Sequence, residues 1–144
     1  MRIIFPILAF MGGMAIAFQD KINGGLGKKI GVIEGALTSF TTGAITLLFV
    51  SIFWGKGDIS AITTVPKWQL IGGMLGAFYV TAMVFVVPKI GVTLTVMSVI
   101  IGQVLIAMLI DHFGLFGGMR MPINERKLAA IFLFFVSAYL ILDE

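Results

Sequence analysis

The chain has 144 residues, 59% hydrophobic and 12% charged, with a net charge of +3. A soluble domain carries about 25% charged residues. Half that share, with a mean hydropathy of +1.10, excludes a soluble monomer and indicates a polytopic membrane protein forming one transmembrane domain over residues 1–144. Cys is absent and His112 is the one histidine, which argues against disulfides, thiol catalysis, thiolate metal sites and a His-rich metal cluster. The few positive charges fall in short connecting segments and offer no stripe for nucleic acid.

A bilayer core of ~30 Å takes roughly 20 apolar residues as a helix, and five segments qualify, at about 3–19, 30–54, 66–87, 90–110 and 128–142. The first begins MRIIFPILAF, which resembles a signal peptide only superficially. No A-x-A-type site closes its apolar run, so it reads as a retained helix. Asp20 and Lys21 look like the water boundary after this helix. Gln19 and Asn23, four apart, share its face.

Helix two contains a single ionisable residue, Glu34. A carboxylate in such a run is near water, protonated or paired. It either sits at the interface, favoured by the positive helix N-terminus, or faces a cavity and exchanges a proton for a cation. Thr38 follows it in register, with Thr41 and Thr42 close by. Gly31, Gly35, Ser39 and Gly43 form a small-residue stripe at spacings of four, and helix three repeats the device with Gly72 and Gly76. Such stripes let membrane helices approach closely.

Pro66 suits the first turn of helix three, and Trp54 and Trp68 suit headgroup anchoring at span ends. Tyr79 in helix three and Phe40 in helix two could supply aromatic walls for a cation. VVPKIGV separates helices three and four, since Pro88 lacks a donor and Gly91 permits a turn. Ser98 and Gln103 are polar positions within helix four, and a buried amide there needs partners. Asp111, at the C-terminal end of that helix, calls for a salt bridge or a cap. Gly114 suits the stop, and His112 beside it reads as structural.

Five spans put the termini on opposite sides of the membrane. Arg2, Lys56, Lys67, Arg120, Arg126 and Lys127 then lie on one side, and Lys21, Lys28, Lys29 and Lys89 on the other. Six against four is a weak bias, compatible with dual insertion and an antiparallel pair.

The stretches QDKINGGLGKKIG, with its Q-x-x-x-N core, IGGMLGAFYV, VPKIGVTLT and above all IGQVLIAMLIDHFGLFG resemble the short five-helix members of the drug/metabolite transporter superfamily, a bacterial inner-membrane family. The resemblance covers nearly the whole chain. It implies an all-α fold equivalent to one five-helix inverted repeat of a ten-helix transporter, and an antiparallel homodimer or a pairing with a similar second chain. The four-helix exporters of the superfamily use a glutamate in their first helix. Glu34 lies in helix two, outside that motif, so their chemistry does not carry over to it.

The leading expectation is a secondary transporter, a proton-coupled exporter of a small organic cation or metabolite. Glu34 is the expected proton and cation site, with Thr38, Gln19, Asn23, Tyr79, Ser98 and Gln103 as cavity-lining candidates. The alternatives are a small dual-topology ion channel and a non-transporting membrane interaction subunit. No cofactor or metal is expected, and no Ser/His pair or paired-Asp motif suggests an enzyme. Lipid and a small-molecule substrate are the expected partners.

Overall fold

The computed structural model describes residues 3–142, so Arg2 lies outside the described residues. Every regular element among the described residues is helical, and they form two compact units that divide between Lys89 and Ile90.

In the first unit, α1 (Ile4–Ile30) and α2 (Val32–Trp54) are joined by one residue, Gly31. Gly31 has φ 106° and ψ 155°, a conformation essentially restricted to glycine. Its N–H donates to the Gly27 carbonyl, and its own carbonyl accepts from Gly35 N–H. One glycine therefore ends one helix and starts the next with no polar loop.

α1 runs eleven residues past position 19, where its apolar run ends. The segment after Gln19 is polar and glycine-rich, yet Asp20, Asn23, Gly24 and Gly27 are the buried residues of α1. At spacings of three and four they form one face, and that face meets α3. A weak local helix former is thus held helical by what it packs against.

α2 is followed by two 3₁₀ turns, Ile59–Thr63 and Lys67–Ile71, and then by α3 (Gly72–Ile90). The expected start at 66 is the cap of the second 3₁₀ turn, with Pro66 at its N-cap. The expected break at Pro88 falls inside α3. The helix ends instead at Gly91, whose φ of 80° is open to glycine at little cost. Pro88 has no N–H to give the Val84 carbonyl, so it removes a hydrogen bond without ending the helix.

The core of this unit is small. Ala36 of α2 and Val80 and Val84 of α3 are buried together, with Val32 and Tyr79 against them. Most other large apolar side chains lie on the outside, Phe5, Phe18, Phe53 and Trp54 among them. In water such a surface would aggregate; in hydrocarbon it is matched to its solvent.

In the second unit, α4 (Val92–Phe113) ends at Gly114, which is left-handed at φ 63°. A short 3₁₀ turn, Leu115–Gly117, and α5 (Glu125–Leu142) follow. Asn124 caps α5, its Oδ1 accepting Lys127 N–H at 3.0 Å. The Asp111 backbone carbonyl accepts from Gly114 N–H and, at 2.7 Å, from Met121 N–H. Among the described residues no Lys or Arg forms an ion pair with Asp111, so of the salt bridge or cap expected there the salt bridge is not formed; the backbone bonds tie the end of α4 to Met121. His112 is structural: its Nδ1 accepts Ile123 N–H at 3.1 Å, and its carbonyl accepts Arg120 Nε–H at 3.2 Å.

Among the described residues four segments are long and apolar enough to cross a membrane: Ile4–Ile30, Val32–Trp54, Lys67–Ile90 and Val92–Phe113. α5 has 18 residues and opens with Glu125, Arg126 and Lys127. Its apolar part, 128–142, is 15 residues, just under the usual span.

Candidate functional site

The polar centre of the first unit lies where α1 meets α3. Asp20 is 1% exposed, and the Tyr79 hydroxyl donates to its Oδ2 at 3.1 Å. The two residues are 59 positions apart in sequence, so only the approach of the two helices creates the pair. Among the described residues no Lys or Arg forms an ion pair with Asp20. A carboxylate taken out of water with no cation beside it is costly when charged, so this position favours holding a proton or pairing with a cation that arrives.

One turn further along α1 is Asn23, 5% exposed. Its Nδ2 is buried with no hydrogen-bond partner, and an orphan donor of this kind costs about 1–3 kcal/mol. Glycines bring the two helices this close. A Cβ on Gly27 would collide with Val84 Cγ1, and one on Gly24 would lie 3.1 Å from Val87 Cγ1 and 3.4 Å from Pro88 Cδ. A Cβ on Gly27 would also lie 3.7 Å from the Val84 carbonyl oxygen, the group that Pro88 leaves without its helical donor. On the α2 side, a Cβ on Gly35 would lie 3.0 Å from Gly27 Cα. Gly27 is therefore the point at which α1 touches both neighbours.

The residues singled out from the sequence divide into three groups. Tyr79 and Asn23 belong to the Asp20 centre. Gln19, the neighbour of Asp20, lines an open groove of ≈ 250 Å³ together with Ser39, Phe40, Gly43, Leu47 and Val80. This lining carries two amide or hydroxyl groups and no ionisable side chain. The remaining residues lie elsewhere. Glu34 is exposed in the first turn of α2. Its carboxylate folds back over Gly31, where a Cβ would meet its Oε2, so it complements the positive end of α2. Thr38 donates to the Glu34 carbonyl at 2.7 Å, and Thr42 to the Thr38 carbonyl at 2.9 Å. Ser98, in the second unit, donates to the Leu94 carbonyl at 2.9 Å. Gln103 is exposed on α4.

The small-residue stripe also divides. Gly35 makes the close contact with α1, and a Cβ on Gly76 would lie 3.3 Å from Phe40 Cζ, whereas Gly43 and Gly72 face open space. Sequence reasoning missed Asp20, Gly24 and Gly27. The available signal was the spacing Asp20, Asn23, Gly27, which continues one helical face through a segment that reads as a polar boundary. Among the described residues no group of three His, Cys, Asp or Glu side chains could hold a metal ion.

Long apolar helices, with Asp20 buried where two of them meet, fit an all-α, multi-pass membrane protein. Residues 4–140 match the family described as "Putative inner membrane exporter, YdcZ", and the chain belongs to that family. It is 31% identical over 71 residues to "Inner membrane protein YdcZ" of Escherichia coli (strain K12). That alignment covers 46% of this chain and 48% of the relative, so the match spans about half the length of each. No solved structure matches the chain. The protein is a multi-pass protein of the inner membrane, and it falls within the drug/metabolite transporter superfamily.

Proposed function

We propose that this chain is a proton-coupled exporter of a small organic cation or metabolite, acting as an antiparallel homodimer or beside a similar second chain. The observation that carries the reading is Asp20, buried on a helix long enough to span the bilayer and held by Tyr79 from another helix. Ionisable groups inside a span are expensive and mark ion and proton pathways. The proton-exchanging role therefore belongs to Asp20 rather than to Glu34, whose exposed carboxylate already has a local role at the start of α2.

The groove beside Gln19 supports a small cargo. At ≈ 250 Å³ it is below the ~300–1,000 Å³ of drug-sized sites. Pairing of two chains is supported by the small number of helices, since such folds build their central site at the interface of two repeats.

The test is uptake into proteoliposomes under an imposed pH gradient, with radiolabelled small amines and amides as probes. Wild type and Glu34→Gln accumulate at least one probe only when the gradient is present, and Asp20→Asn accumulates none. Gradient-driven uptake that survives Asp20→Asn removes the proposal. Single cysteines introduced into this Cys-free sequence, at positions that cross-link two inverted copies and fail to cross-link parallel ones, test the pairing.

A further inference from the structure

We infer that Asn23 is a positioning residue for Asp20, a held-ready donor that binds the carboxylate when Asp20 loses its proton. The inference rests on the proposed role of Asp20 and adds the means by which the protein accommodates its charged form. Asn23 Nδ2 is buried within a span and bonded to nothing. Hydrocarbon supplies no water to such a group, and natural structures leave few donors orphaned unless the site has a use for them.

Two acceptors lie on the same face of α1. The Val84 carbonyl, freed by Pro88, is beside Gly27, one turn further on. The Asp20 carboxylate is three residues back. Helical side chains lean towards the N-terminus, over the residues three and four positions earlier. For Asn23 those residues are Asp20 and Gln19, so the amide is directed at the Asp20 turn and away from Gly27.

A neutral carboxyl group keeps one O–H donor and has fewer acceptor sites to fill, and Tyr79 already donates to Oδ2. A carboxylate is acceptor-only and has room for further donors on both oxygens. Hydrogen bonds to a charged acceptor are roughly twice as strong as neutral ones, so the second donor matters in one protonation state and is idle in the other. An orphaned Asn23 is what the neutral state of this pair would look like.

Among the described residues the other charged groups of the unit, Lys56, Asp58 and Lys67 included, are all exposed. On α1, Lys21, Lys28 and Lys29 are exposed; on α2, Glu34 is exposed and folded over Gly31; on α3, Lys89 is exposed with its ammonium 3.5 Å from the Phe85 ring centre. Among the described residues Tyr79 is the one titratable group bonded to Asp20.

The experiment is infrared titration of the protonated carboxyl band in reconstituted full-length protein, with the Asp20 band identified by its loss in Asp20→Asn. Asn23→Leu keeps the volume and removes the donor. Its band should persist to higher pH than in wild type, by ~1 pH unit, about a tenfold weaker release of the proton. Asn23→Gln should recover part of the difference, and Tyr79→Phe, which removes the other donor, should shift the band in the same direction as Asn23→Leu. Coincident midpoints in wild type and Asn23→Leu overturn the inference and leave the proposed role of Asp20 standing. A wild-type spectrum with no band lost in Asp20→Asn at any pH overturns both. If Asn23→Leu fails to fold, Asn23→Ser decides: its shorter side chain cannot reach the carboxylate, and an unshifted midpoint again overturns the inference.

Discussion

Asp20 and Glu34 are both carboxylates on apolar helices of the same unit, fourteen residues apart, and their surroundings are opposite. Asp20 is buried by a helix from elsewhere in the chain and held by a phenol hydroxyl. Glu34 lies on the outside, folded over the glycine that starts its own helix. The difference is one of partners. The long-range contact makes a protonatable centre, and the local one makes a helix terminus. Isolation within an apolar run, which drew attention to Glu34, does not bring a second helix over a carboxylate; the glycines at 24 and 27, beside Asp20, do.

The sharpest way to break this contrast is to neutralise each carboxylate in turn. Asp20→Asn is expected to reduce gradient-driven uptake to that of empty liposomes, and Glu34→Gln to leave it close to wild type. The reverse ranking would transfer the role back to α2. A second test opens the contact that buries Asp20. Gly27→Ala drives a methyl into Val84, itself 1% exposed, and overpacking of this sort costs about 1–3 kcal/mol. The same change at Gly43, where nothing lies within 4 Å, should stay within about 0.5 kcal/mol. Thermal unfolding in one detergent compares them, and equal losses would remove the close α1–α3 contact as the cause of Asp20 burial.

On the Glu34 side, Gly31→Ala places a Cβ in the glycine-only conformation between α1 and α2, at a cost of about 1–3 kcal/mol. Its Cβ also meets the Glu34 carboxylate, which is the far end of a flexible side chain and can move aside. Gly31→Ala should therefore lower the melting temperature with little further loss when combined with Glu34→Gln.

The smallest effect belongs to a third carboxylate, Asp58, which caps the 3₁₀ turn Ile59–Thr63. Its Oδ1 accepts from the Ser60 hydroxyl at 2.6 Å and from the Ser60 N–H at 2.9 Å. These bonds, the hydroxyl first, hold its carboxyl below the ordinary value of 3.8. With the folded value depressed, any stability the cap contributes is fully present above the ordinary carboxylate range and is lost as pH falls through the folded value. The melting temperatures of wild type and Asp58→Ala should differ slightly near neutrality and converge in acid. A gap that widens in acid contradicts the cap.

Much of the architecture was legible in the residues because the bilayer imposes a simple rule: long apolar runs become helices. The runs at 30–54 and 90–110 correspond to Val32–Trp54 and Val92–Phe113 within a few residues. Gly114 as the stop of α4 and His112 as a structural residue were readable because their partners are close in sequence. The extension of α1 to Ile30 and the passage of α3 through Pro88 were not readable. Local composition opposes both, and contacts with another helix decide them.

The sequence by itself determined that this is an all-α membrane protein, because hydropathy acts residue by residue and needs no partner. It also determined Gly91 and Gly114 as helix boundaries, since both open backbone conformations that other residues adopt only with strain. Tertiary structure alone decided that Asp20 is buried, that Tyr79 is its donor and that Asn23 Nδ2 has no acceptor. Burial and hydrogen bonding depend on which helix faces come together, and that is fixed by Gly24 and Gly27 meeting Val84 and Val87 across some sixty residues of chain.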